Sequence, residues 1–292
     1  DDVLTVNATS DEWAEAVART RARIVAEHDL DAGNGPSKRG RIVSVFSTKG
    51  GCGKSLVASN LAVLAADRLQ QRTALVDLDL QSGDLAIMFQ VMPALSIFDA
   101  ALDADRLDQE ALEGYFTGHR SGVSLLAAPL EPSLAEQVEP DGVKAILELL
   151  PTMFRLTIVD GPPLFTDQML LALDVSDQIV LVGSMDVPSI KNLKLAISTI
   201  TQLGHPREQL KIVLNRADSK VGLRTNEVEK SLGVEIDVQI PSSRDVPLSI
   251  NQGTPLAISR PRSPVVQAIA ELLPVVVPGA TDDDRGGRFR RR

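Results

Sequence analysis

Residues Val45-Phe46-Ser47-Thr48-Lys49-Gly50-Gly51-Cys52-Gly53-Lys54-Ser55 govern the reading of this 292-residue chain. They follow an apolar strand pattern at 42–46 and open a helical one at 54–69. Strand, glycine-rich turn and helix in that order form the setting of a phosphate-binding loop. Glycines let backbone N–H groups approach phosphate oxygens without a Cβ in the way, and the helix N-terminus adds partial positive charge. On this reading Gly50, Gly51, Cys52 and Gly53 cradle the phosphates of a nucleotide. Lys54 reaches the β- and γ-phosphates and the Ser55 hydroxyl ligates Mg2+. The ordinary pattern places glycine at position 48. Thr48 stands there instead, and a second lysine, Lys49, and the Gly50-Gly51 pair follow it.

Two further strand ends carry acids. Ala74-Leu75-Val76-Asp77-Leu78-Asp79 ends in Asp77 and Asp79, and open α/β sheets bind ligands at the C-terminal ends of their strands. Asp77, on the same side of the strand as Asp79, is read as helping to hold the Mg2+ shell. Two solvating acids at a strand end are the plainer alternative. Asp84 is read as the cap of a helix around 85–89. Leu156-Thr157-Ile158-Val159-Asp160-Gly161-Pro162-Pro163 has the form of a Walker B strand. Asp160 is expected to bind Mg2+ through water, with Gly161 near the γ-phosphate.

Apolar strand patterns at 42–46, 73–78, 123–127, 156–159, 178–182 and 211–214 alternate with helical ones at 143–150, 164–173, 189–203 and 225–232. Near-continuous Val/Ile/Leu strands between helices predict an α/β fold: a mostly parallel twisted sheet with helices on both faces. Residues 1–30 read as the last strand and helix of another unit, which suggests truncation upstream. Residues 31–40 read as a linker, 41–277 as the main domain, and 278–292 as a disordered Arg-rich tail.

Net charge −9, 43% hydrophobic and 24% charged residues suit a soluble globular protein. The acidic balance argues against coating of nucleic acid by the whole surface. A single cysteine excludes an intrachain disulfide and a cysteine-built zinc site, and points to the cytoplasm. No apolar run approaches the roughly 20 residues that span a bilayer.

The K-G-G-x-G-K-S form at 49–55 resembles the deviant Walker A motif of the MinD/ParA ATPases, P-loop NTPases of the SIMIBI class. The resemblance implies ATP and Mg2+ as ligands and a homodimer in the ATP state. In that dimer Lys49 would reach the partner's nucleotide and Asp79 would orient the attacking water. Asn215, at the end of 211–214, would pair with the adenine edge; a turn-forming Asn is the alternative. Ile240-Pro241-Ser242-Ser243-Arg244 resembles the loop over the base, which makes Pro241 a nucleotide-binding residue.

The stretches 83–89, 126–132, 213–222 and 240–255 are similar to the CpaE/TadZ-like branch, so the resemblance runs from about Gly40 to Leu273. Members of this branch often carry an N-terminal receiver-like domain, of which residues 1–30 would be the end. Asn7-Ala8 stand where receivers usually have Lys-Pro. The function implied is an ATP-dependent dimerisation switch with slow Mg2+-ATPase activity that positions pilus-assembly or septum-site machinery. Its partners would be pilus-assembly, polar or septal proteins. Recruitment to the pole, septum or inner membrane surface would run through them or through the Arg-rich tail.

The competing readings are a ParA-type partition ATPase binding non-specific DNA and a nucleotide-binding scaffold without turnover. The basic candidates for DNA, Lys191, Lys194, Arg216 and Lys220, are sparse, so nucleic acid is not expected. An amphipathic membrane helix like that of MinD is not expected at 263–277 either. Val265, Val266, Ile269, Leu272 and Leu273 there read as core.

Overall fold

In the computed structural model residues 39–219 and 223–277 are described. The expected remnant at 1–30, most of the linker and the tail at 278–292 lie outside them, as does Lys220. All six expected strands form, with small changes at their ends: β1 Arg41–Phe46, β2 Thr73–Asp77, β4 Val123–Leu126, β5 Leu156–Asp160, β6 Gln178–Ser184 and β7 Leu210–Asn215. Two short ones join them, β3 Thr117–Gly118 and β8 Val238–Ile240. Their order is β3-β4-β2-β5-β1-β6-β7-β8. Every pairing is parallel except the β3/β4 hairpin.

Alternation along the strands divides the core in two. Val43, Val45, Leu75, Ile158, Val180 and Val213 pack under helix α1, Lys54–Leu69, and the C-terminal helices. Ile42, Phe46, Val76, Val159, Leu181 and Leu214 face the other way. They pack under α2 Pro140–Met153, α3 Asp167–Val175 and α4 Val187–Gln202. Both faces of β2 and β5 are therefore fully buried, which is why their sequences are mostly apolar rather than alternating apolar and charged.

The helix expected at 164–173 begins only at Asp167. Pro162 and Pro163 hold the chain off helical geometry, and the Thr166 hydroxyl caps the start by accepting from Met169 N at 3.2 Å. Helix α4 starts two residues before expectation because Asp186 caps it, accepting from Ser189 N at 2.9 Å. The apolar segment at 263–277 forms two short helices, Pro264–Ala270 and Leu272–Val276, and all five residues expected in the core are buried. Among the described residues no helix is long and apolar enough to cross a membrane.

Parallel register brings the loaded strand ends level. Asp160 lies opposite Val45 on one side and Asp77 on the other, and Asn215 lies opposite Ser184.

Candidate nucleotide-binding site

A cleft of about 650 Å³ opens at the C-terminal ends of these strands. It is lined by Gly50, Gly51, Gly53, Lys54, Ser55, Asp79, Asn215 and Pro241 among others. Of the remaining expected residues, Cys52, Asp77 and Asp160 are buried, and the Lys49 side chain is engaged elsewhere.

The loop's shape follows from its glycines. Gly53, the residue before α1, has φ +97°, and a Cβ there would sit 2.4 Å from Asn215 Nδ2. No side chain caps α1 and its first turn carries no acid, so its free N–H groups and partial positive charge are left to face the cleft. Asn215 braces this turn: its Nδ2 donates to the Cys52 carbonyl at 2.8 Å, and its Oδ1 accepts from Arg216 N at 2.9 Å. Its side chain is among those that line the cleft, and an amide can make one further donor and one further acceptor bond beyond these two.

Asp160 is 1% exposed. The Ser55 hydroxyl lies close enough to draw the Asp160 pKa down, while Asp160 Oδ1 has no hydrogen-bond partner. Burial, chiefly, pushes its carboxyl up to about 7, against the pull of Ser55 and of the Lys54 ammonium. A buried carboxylate oxygen with nothing to bind, beside a hydroxyl, suits a hard cation with oxygen ligands. Among the described residues no group of three His, Cys, Asp or Glu side chains could hold a metal, so Mg2+ here would take the rest of its shell from phosphates and water.

Asp77 is engaged differently. Both its oxygens accept from backbone, Oδ1 from Asp79 N at 3.2 Å and Oδ2 from Leu85 N at 3.3 Å. Burial, then the neighbouring Asp160, raises its carboxyl well above the usual range. It organises the 79–85 turn, and Gly83 lets that turn close on it: a Cβ there would lie 2.6 Å from Asp77 Oδ2. Asp84 stands at the expected cap position of the helix Leu85–Met88 but makes no side-chain cap bond. The first helical N–H, that of Leu85, is met by Asp77. Asp79 is half-buried at the cleft; burial raises its pKa and Lys54 opposes the rise.

Two residues that the sequence did not single out, and a third that it offered only as a DNA contact, shape the site. Asp186 Oδ1 holds the Lys49 ammonium at 2.8 Å. Asp218 Oδ1 accepts from Ser242 N at 2.7 Å and pins the loop that carries Pro241. Arg216, weighed only as a DNA contact, lines the cleft with φ +54°. Asp before Val-Pro-Ser is a legible helix-start signal; its pairing with a lysine 137 positions away has no local signature.

A family model described as the CobQ/CobB/MinD/ParA nucleotide binding domain matches residues 43–256. The chain belongs to that family. It is 25% identical over 228 residues to the septum site-determining protein MinD of Thermotoga maritima, covering 75% of this chain and 82% of that protein. Its fold superposes on a ParA family ATPase from Chlorobium tepidum with TM-score 0.75 and 23% identity, over 79% of this chain and 97% of the other. For MinD of Pyrococcus horikoshii complexed with Mg-ADP the TM-score is 0.71 at 19% identity, over 82% and 96%.

Proposed function

We propose that the chain is an ATP-dependent dimerisation switch with slow Mg2+-ATPase activity, whose output is the position of pilus-assembly or septum-site machinery in a bacterial cell. The observation that carries the reading is the convergence of Lys54, Ser55 and Asp79 on one cleft at the open end of α1, with the carboxyl of Asp160 buried behind it. Lys54, 6% exposed, supplies charge to the β- and γ-phosphates. The loop N–H groups orient those phosphates, and Asp79 accepts a hydrogen bond from the attacking water. Asn215 and Pro241 flank the base. Mg2+ held by Ser55 and Asp160 would neutralise charge developing on the phosphates. Lys49 adds a cation to the partner's site, as an arginine finger does. The CpaE/TadZ-like stretches support the pilus or septum role.

The test is equilibrium ATP binding, light scattering and phosphate release with and without Mg2+. Wild type should bind, dimerise and turn over slowly, and Lys54→Ala should lose ATP binding. ATP binding and dimerisation without phosphate release would leave a scaffold. The partition reading has in its support Lys191 and Lys194, both exposed on α4. Salt-dependent binding of non-specific DNA by the ATP-bound dimer would decide for it.

A further inference from the structure

One wall of the cleft is a single stretch of chain: Pro241, Ser242, Ser243, Val246, Pro247 and Ile250 all line it. The stretch leaves β8 at Ile240 and continues into the helix Asp245–Asn251. Its far end is packed. Ser249 and Gly253 are buried, and a Cβ on Gly253 would lie 2.9 Å from the Ile87 carbonyl oxygen. At the near end Pro241 offers no N–H, and Ser242, the first donor past the strand, is exposed. Asp218 Oδ1 accepts from that Ser242 N–H at 2.7 Å. Among the described residues this is the one hydrogen bond that ties 241–246 to another element.

The chain leaving β7 is bent to bring the carboxylate there. Arg216 takes φ +54°, a conformation uncommon outside glycine. Asn215 Oδ1 steadies it by accepting from Arg216 N at 2.9 Å. The turn sends Ala217 N to the Ile240 carbonyl at 3.0 Å and Ser219 N to the Arg216 carbonyl at 3.1 Å, which sets Asp218 beside the end of β8. The Ser242 N–H holds the Asp218 carboxyl below the usual carboxylate range. The acceptor is therefore ionised at neutral pH and the bond is charge-assisted.

We propose that Asp218 is a positioning residue for nucleotide binding, one that seats the wall 241–247 against the nucleoside half of the ligand before the ligand arrives. This rests on the nucleotide-binding reading above. Asp218 does not itself line the cleft, so it acts through the wall. The phosphate loop is braced separately, by Asn215 on the Cys52 carbonyl. Without the pin the wall is seated only part of the time, and apparent affinity falls in proportion to the seated fraction. Loss of one charge-assisted but solvent-exposed bond should weaken ATP binding about three- to tenfold.

Asp218→Ala removes the acceptor, and Asp218→Asn keeps an oxygen at the same reach without the charge. In the nucleotide-free protein, hydrogen exchange read by mass spectrometry should be faster over residues 242–246 in Asp218→Ala than in wild type, with Asp218→Asn between them. Asp218→Ala should bind ATP about three- to tenfold more weakly and inorganic triphosphate, which has no nucleoside to meet the wall, as well as wild type does. Asp218→Asn should recover most of the ATP affinity. Equal exchange over 242–246 in Asp218→Ala and wild type would overturn the pin. Unchanged ATP affinity, or an equal loss for ATP and triphosphate, would overturn the positioning role. A wild type that binds neither ligand would instead overturn the nucleotide-binding reading, while the exchange rates still decide whether Asp218 holds the wall.

Discussion

A carboxyl group pushed up to about 7, as Asp160 is, sets how the metal-free protein responds to pH. An unfolded aspartate titrates near pH 4. Between about pH 4 and 7 the folded chain therefore holds a proton that the unfolded chain has shed, so stability falls as pH rises through that window. Without Mg2+ the melting temperature should drop by at least about 3 °C from pH 5 to 8. Asp160→Asn should make the curve shallower, with the raised carboxyl of the buried Asp77 supplying part of what remains, and a slope unchanged in that variant would mean that other groups set it. Asp79 sits at the other end of the chemistry. A carboxylate that orients water matters mainly in the transition state, so Asp79→Ala should keep ATP binding and dimerisation and lose phosphate release by about a hundredfold or more. If binding disappears as well, Asp79 has a structural or metal-binding role.

Helix α1 is tied to the C-terminal segment by one fully buried amide. Asn60 Oδ1 accepts from Ala257 N at 2.7 Å, and its Nδ2 donates to the Leu56 carbonyl at 2.8 Å. Asn60→Ala leaves the Ala257 N–H buried and unmet, at a cost of about 1–3 kcal/mol; thermal or urea unfolding would measure it, and a change under about 0.5 kcal/mol would show that water or a local shift replaces the bond. At this scale the sequence was a good guide wherever a strand-length segment was mostly Val, Ile, Leu, Ala or Phe, as in β1, β2 and β6, or a helix carried its own period, as in Thr225–Leu232. It was a poor guide to β3 and β8, which are two and three residues long and take their conformation from a neighbour. The phosphate loop was legible because its chemistry is contiguous in the chain. The Asp77–Leu85, Asp186–Lys49 and Asp218–Ser242 bonds were not, because each exists only once the strands have brought distant segments together.

For the assembled molecule, the trans role proposed for Lys49 makes a demand that no single chain can meet. Lys49→Ala should weaken ATP-driven dimerisation and turnover while leaving nucleotide affinity of the monomer nearly unchanged, since Lys54 supplies the charge in cis. Mixing Lys49→Ala chains with Asp79→Ala chains places an intact Asp79 opposite an intact Lys49 in one of the two composite sites. Phosphate release should return there, to roughly half the wild-type value per dimer on site-counting grounds. Mixed dimers that form and stay inactive would show that Lys49 serves the nucleotide of its own chain.

Cys52 is the only cysteine in the sequence and is buried in the phosphate loop, its carbonyl held by Asn215 and its sulfur against Ser189. A thiol reagent can reach it only when the loop lifts away from α4 and β7, so the rate of alkylation counts those openings in the same way that amide exchange counts local unfolding. The protein thereby carries an intrinsic clock for loop motion that needs no engineered label. ATP seated in the cleft should slow that clock, and covalent modification of Cys52 should in turn exclude ATP.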